Sequence, residues 1–360
     1  MDFLDLLAAH PPLFIGSCIV LGLLVGSFLN VVIYRLPVMI DNIVLSDAEE
    51  ISAMRSEAAP ADVSTTPDPA PIPGDTPAAE PAMMMEAPAT TAEGVEAAAA
   101  HEPLAEVPAL PTTPADAPAP AKPAFNLVVP RSACPKCKAP ITALQNIPVV
   151  SWLVLGGKCA NCRTPISVRY PLVELLTGIT TGVVAWHFGY GTLALAGIFF
   201  TWMLIALTFI DLDTTLLPDQ LTYPLQWVGL LLSLTHPVWA PGALPVTPFD
   251  SIIGAVVGYL SLWSLNWIFK LIRKEDGMGY GDFKLFAAFG AWFGFKMLLP
   301  IILFASLVGS VVGLWILWRQ RKGLETKIPF GPYLAGAGWL FLLVGHEVVE
   351  RYFLIASQVQ

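Results

Sequence analysis

The sequence predicts an all-α polytopic membrane protein of about eight transmembrane helices, with a small cytoplasmic zinc-binding module. Three observations carry that expectation. The 360 residues are 55% hydrophobic and only 13% charged, with a mean hydropathy of +0.65, too apolar for a soluble globular chain. Apolar stretches close to the roughly 20 residues that cross a bilayer recur along the chain. Lys and Arg gather between alternate stretches instead of scattering.

The first stretch, Pro12 to Tyr34, lacks a basic start and a small-residue cleavage site. It is expected to be a retained span and not a removable signal, which makes residues 1–36 a first transmembrane unit. Residues 37–128 form an Ala/Pro-rich acidic insert. Within 41–125 there are 15 acidic and 2 basic side chains, a charge of −13, which leaves 17 basic against 13 acidic residues elsewhere. With almost no aromatics, this stretch cannot bury enough surface to offset its ordering entropy. It is expected to be a disordered cytoplasmic tether, the other reading being an acidic lure for a basic partner. Residues 129–169 are a compact cysteine module. The remainder, 170–360, holds spans near 170–187, 190–210, 220–238, 250–272, 283–297, 298–318 and 330–349. Only Lys296 and Pro300 mark the division within 283–318.

Orientation follows from charge. With the N-terminus outside, 17 of the 19 basic residues fall at the inner side, and only Lys296 and Arg351 fall outside. Arg273-Lys274 and the group Arg319, Arg321, Lys322 and Lys327 decide it, because short loops beside span ends set topology. No Gly-rich phosphate loop, nucleic-acid signature or long internal repeat is present.

Cys134-Pro-Lys-Cys137 and Cys159-Ala-Asn-Cys162 are two knuckles separated by 21 residues, each followed by a similar turn ending in Pro-Ile (Ile141, Ile166). Four thiolates from two copies of one turn suit a tetrahedral four-sulfur zinc site. Such a site has no open position, so the metal is expected to be structural. Paired disulfides are the competing reading, disfavoured in a reducing cytoplasm. The fifth cysteine, Cys18, reads as a small buried hydrophobe.

Carboxylates at the edge of hydrocarbon are costly and point to function. Asp211 ends the third span, and Asp282 follows three glycines at the start of the sixth. The orientation above puts both at one depth on the cytoplasmic face, where two carboxylates can share a proton and activate water. Asp213 and Asp219 compete with Asp211 by position. Asp219 also reads as an N-cap, as does Asp282 taken alone. Lys284 reads as an inner-leaflet anchor in preference to a charge partner.

Several motifs occur in one order. They are Gly26 to Pro37 (GSFLNVVIYRLP), the two knuckles, Tyr170-Pro171-Leu172-Val173-Glu174, Phe209 to Asp219 with Leu221-Thr222, and Gly277 to Leu285. Together they resemble the type IV prepilin peptidases, the bifunctional leader peptidase/N-methyltransferases of bacterial pilus and type II secretion systems. The resemblance implies an aspartyl protease of the GxGD type in the bacterial inner membrane, with Asp211 and Asp282 as the catalytic pair. It implies prepilin or pseudopilin substrates cut between glycine and phenylalanine at the cytoplasmic face. It also implies methylation of the new amino terminus by S-adenosylmethionine. Gly157, in Gly156-Gly157-Lys158, is the candidate for that cofactor; a tight turn entering the second knuckle is the other reading. Membrane lipid and a pilus or secretion assembly system are the implied surroundings, and no nucleic acid. The insert at 41–125 is longer than the family pattern.

Three alternatives remain. A GxGD peptidase without methyltransferase activity keeps the aspartates but not the knuckles. A zinc-module assembly scaffold uses the aspartates only as helix caps. A proton-coupled transporter needs matching halves and mid-membrane charges, which are not seen here.

Overall fold

Proline spacing sets the first long element. Residues 38–59 contain neither proline nor glycine and are rich in Ala, Glu and Met, so a helix begun at Pro11 has nothing to stop it at the membrane edge. The computed structural model describes residues 3–58, 125–235, 246–275, 277–320 and 329–358. A short α1 (Phe3–Ala9) precedes α2 (Pro11–Ala58). The insert expected from residue 37 therefore begins as helix. Its expected disorder otherwise falls on residues 59–124, outside the described residues, as do Arg321, Lys322 and Lys327.

After the cysteine module, which contains the short α3 (Val150–Val154), the chain forms α4 (Arg169–Phe188), α5 (Thr192–Thr214) and α6 (Asp219–Thr235). It continues with α7 (Pro248–Arg273), α8 (Tyr280–Phe293), α9 (Leu298–Gln320) and α10 (Gly331–Gln358). Among the described residues there is no strand, only two isolated bridges in the cysteine module. Each expected apolar stretch is helical over most of its described residues. Four segments are long and apolar enough to cross a membrane: Pro11–Ser52, Thr192–Thr214, Pro248–Arg273 and Phe295–Arg319.

Among the described residues the other four stretches of the expected eight do not combine that length and apolarity. The 14 residues of α8 rise about 21 Å, short of the roughly 30 Å of hydrocarbon. Helix α8 is core, with Phe283, Leu285, Phe289 and Trp292 all buried. Its end also lies earlier than expected. Gly294, at φ 73°, makes the turn, and Pro300 sits in the first turn of α9, where its missing N–H costs nothing.

Buried polar groups in such a bundle must find partners inside it. Trp292 Nε1 donates to the Leu225 carbonyl at 2.7 Å, joining α8 to α6. Trp202 Nε1 reaches Thr181 Oγ1 at 2.9 Å and Trp339 Nε1 reaches Thr201 Oγ1 at 3.1 Å, tying α4 to α5 and α5 to α10. Phe200 of α5 packs its ring against Phe289 and Trp292 of α8, at centroid distances of 5.8 and 4.6 Å, which sets those two helices side by side within one core.

Candidate active site and metal centre

Asp211 lies in the last turn of α5, which Thr215 ends at φ 54° by donating its N–H to the Asp211 carbonyl at 2.8 Å. Asp282 lies in the first turn of α8, whose N-cap is Gly279 with no side-chain cap bond. It is therefore not an N-cap. Asn266 of α7 holds the glycine-rich loop by accepting from the N–H groups of Gly277 (2.9 Å) and Met278 (3.1 Å).

Two close approaches join these ends. A Cβ on Gly281 would stand 2.6 Å from Leu217 Cβ, so only glycine lets the loop after α5 lie on the start of α8. A Cβ on Gly331, the first residue of α10, would stand 2.6 Å from Asp211 Oδ2 and 3.3 Å from Leu217 Cδ1. Glycine there lets the α10 N-terminus, with its partial positive charge, face the Asp211 carboxyl. The Gly331 backbone bonds Asp211 and that of Gly279 bonds Asp282.

Asp211 and Asp282 are both buried, at 4% and 8% exposure, and the Asp211 charge acts directly on Asp282. Asp211 Oδ2 and Asp282 Oδ1 have no hydrogen-bond partner among the described residues. The competing carboxylates differ. Asp213 is held by both Arg169 guanidinium nitrogens at 2.7 and 2.6 Å, and Arg169 also donates to the Phe209 carbonyl at 3.2 Å. Asp219 is the first residue of α6 and binds Lys284 Nζ at 2.6 Å. Lys284, expected as an anchor, is thus a charge partner, because its helix begins beside Asp219 and not at a lipid face. Two carboxylates are matched by cations, and two are left with free oxygens.

The cysteine module repeats itself in three dimensions. Cys134 N–H donates to Ala139 O at 3.0 Å and Cys159 N–H to Thr164 O at 2.8 Å. Lys138 and Arg163 both turn at φ 58°. The two turns face each other, so Cys134 Sγ lies 3.7 Å from Cys162 Sγ, and Cys137 Sγ lies 4.0 Å from Cys159 Sγ. All four sulfurs fall within 4.8 Å of one another. Disulfide sulfurs would be near 2.05 Å. Tetrahedral zinc at about 2.3 Å sets its sulfur ligands about 3.8 Å apart, so the donors fit. Thr164 bonds the Cys162 thiol and brings it down to about 6, favouring the thiolate that a metal requires.

Gly157 shapes this turn. It sits at φ 67°, its N–H donates to Trp152 O at 2.8 Å, and its carbonyl accepts from Ile166 at 2.7 Å. A Cβ there would meet Trp152 at 2.9 Å.

The family model described as "Type IV leader peptidase family" matches residues 198–314, and "Bacterial Peptidase A24 N-terminal domain" matches residues 20–188. A Stutzerimonas stutzeri protein is 41% identical over 356 residues, covering 99% of both chains. A Pseudomonas aeruginosa protein is 41% identical over 357 residues, again covering 99% of both. One from Aeromonas hydrophila is 42% identical over 349 residues, covering 97% of both. All three are named prepilin leader peptidase/N-methyltransferase. The chain belongs to the type IV leader peptidase family. No solved structure matches it.

Within this leader peptidase, Asp211 and Asp282 fall in the first of those matched regions, and the four cysteines, Gly157 and Glu174 in the second. Sequence reading missed the roles of Asn266, Leu217 and Arg169, and ranked the charge-partner role of Lys284 second. Nothing in the sequence Pro329-Phe330-Gly331-Pro332 shows that its glycine meets Asp211.

Proposed function

We propose that this chain removes the leader of type IV prepilins or pseudopilins and methylates the new amino terminus, with Asp211 and Asp282 as the hydrolytic pair. The observation that carries this reading is the buried pair itself, with one unpartnered oxygen on each carboxyl while neighbouring Asp213 and Asp219 are tied to cations. Like charges in one pocket share a single proton. The ionised member takes a proton from water as its oxygen attacks the scissile carbonyl carbon. The protonated member donates to the carbonyl oxygen. Collapse breaks the C–N bond and returns a proton to the leaving amine, giving a leader carboxylate and a free amino terminus. Which member starts protonated is a property of the pair.

The reading places the pair at the cytoplasmic face of the bacterial inner membrane. Arg169, Arg273, Lys274 and Arg319 lie at the α4, α7 and α9 ends that share the aspartate end of the bundle, as the positive-inside rule requires. A substrate whose apolar helix lies in the bilayer then presents its cytoplasmic end to Asp211 and Asp282, at a glycine–phenylalanine bond. Zinc, held by Cys134, Cys137, Cys159 and Cys162, supplies rigidity to the module and no chemistry. S-adenosylmethionine is the methyl donor for the second activity. Gly157 enters by shaping the loop under Trp152.

The test incubates purified protein with a prepilin and reads product masses. Without S-adenosylmethionine the two products should sum to the substrate plus one water. With it the mature chain should gain one methyl group. An uncut prepilin under both conditions would overturn the peptidase reading, and an unmethylated product the second activity.

A further inference from the structure

Surface aliphatic side chains cluster on the zinc module. Leu144 is 77% exposed, Leu153 63% and Val154 79%, with Val150 and Ile147 also exposed beside them. On a module standing free in cytosol this would be an unsheltered apolar patch. Its position says otherwise. The Val149 N–H, which opens α3, donates to Glu174 Oε2 at 2.7 Å. Glu174 also accepts from the Ser27 hydroxyl of α2.

Glu174 lies five residues inside α4, about 7.5 Å along its axis from Arg169. Arg169 is itself level with the end of α5, through Asp213 and the Phe209 carbonyl. The start of α3 is thus drawn below the depth at which α4 and α5 emerge. Val149 takes φ 60° to get there, a conformation that β-branched residues avoid. Charge agrees. Residues 129–168 contain Arg131, Lys136, Lys138, Lys158 and Arg163 and no acidic residue, and all five cations are exposed.

We infer that the zinc module is an interfacial membrane element: α3 and the adjoining Leu144 turn dip into the boundary between headgroups and acyl chains of the leaflet at the aspartate end, while its Lys and Arg side chains engage anionic lipid. The sheltered surface is the aliphatic cluster, and lipid is its occupant. A helix lying in the interface with apolar side chains down and cations around it is a recognised mode of membrane binding. Glu174 and Ser27 act as the clamp that sets its depth.

The test places a ketone-bearing amino acid and a nitroxide label, singly, at Leu144, Leu153 and Val154 of the full-length protein in nanodiscs of phosphatidylethanolamine and phosphatidylglycerol. Labels at Asp47, exposed on α2 beyond its apolar stretch, and at Leu175 serve as water and lipid references. This chemistry spares the zinc cysteines. Accessibility to oxygen should match Leu175 at all three positions, with exclusion of a water-soluble nickel complex. An Asp47-like nickel response would overturn the inference. Shielding from both probes would overturn it in favour of a protein partner or substrate segment on this face. In the Leu153→Glu/Val154→Glu double variant, the Leu144 label should move into water while zinc content stays at one per chain. A Leu144 label that remains in lipid would remove α3 as the inserted element. Replacing phosphatidylglycerol with neutral phosphatidylcholine should shift all three labels towards water, and no shift would refute the role of the cations.

Discussion

Substitution of Gly331 by alanine tests how closely the α10 N-terminus governs Asp211. The new Cβ would stand 2.6 Å from Oδ2 and 3.0 Å from Cγ. Carbon and oxygen in contact without a bond sit about 3.3–3.6 Å apart, so the carboxyl must retreat by about 0.7–1 Å or α10 must lift away. Either movement takes the acid off its line with Asp282. Misplacement of a reacting group by 1 Å costs about 100-fold in rate, equivalent to about 2.7 kcal/mol in the barrier. Gly336 lies in the same helix, where a Cβ would meet nothing within 4 Å, and it supplies the control. Cleavage of a prepilin by both variants, in parallel with thermal melting in detergent, is the assay. Gly331→Ala should lose about two orders of magnitude in kcat with a near-normal melt, and Gly336→Ala should lose nothing. Wild-type turnover by Gly331→Ala would refute the claim that this glycine positions Asp211.

Lys284→Met should slow cleavage by less than tenfold, because the Lys284–Asp219 pair is partly exposed and such pairs contribute about 0–1 kcal/mol; initial rates measure it. Cys159→Ser removes one of four sulfur ligands, and metal analysis should show zinc falling well below one per chain. Val149→Gly keeps the N–H that reaches Glu174 and relieves the φ 60° strain. With about 1–3 kcal/mol of strain relieved and about 0.5–1 kcal/mol lost to glycine's freedom, the module should hold its fold more firmly, read as slower zinc loss to a chelator. Trp292→Phe removes the indole bond to the Leu225 carbonyl in the α6–α8 contact, and the melt should show a loss of at least about 0.5–1.5 kcal/mol.

Much of the helix plan was legible because apolar runs and their basic flanks are local signals. The four cysteines were legible for the same reason, since two copies of one turn announce a shared site. Asp211 and Asp282 could be placed at a common depth by orientation alone. What distinguishes the four carboxylates by their partners was not legible. Arg169 reaches Asp213 across 44 residues and Lys284 reaches Asp219 across 65, and such pairings depend on which helix ends the bundle brings together. The length of α8 was misjudged because Gly294, a single residue, ends it inside an apolar run. The helical start of the insert was hidden by composition averaged over 37–128, whose prolines nearly all lie beyond Ala58. The depth of α3 rests on one bond between Val149 and Glu174, 25 residues apart.

The central claim is that two carboxyls, and no others nearby, hydrolyse the leader bond. Single variants Asp211→Asn, Asp282→Asn, Asp213→Asn and Asp219→Asn should be purified and assayed side by side by product mass on the same prepilin. The first two should leave the substrate intact, and the last two should still release the leader. Processing at the wild-type rate by Asp211→Asn or Asp282→Asn would contradict the account.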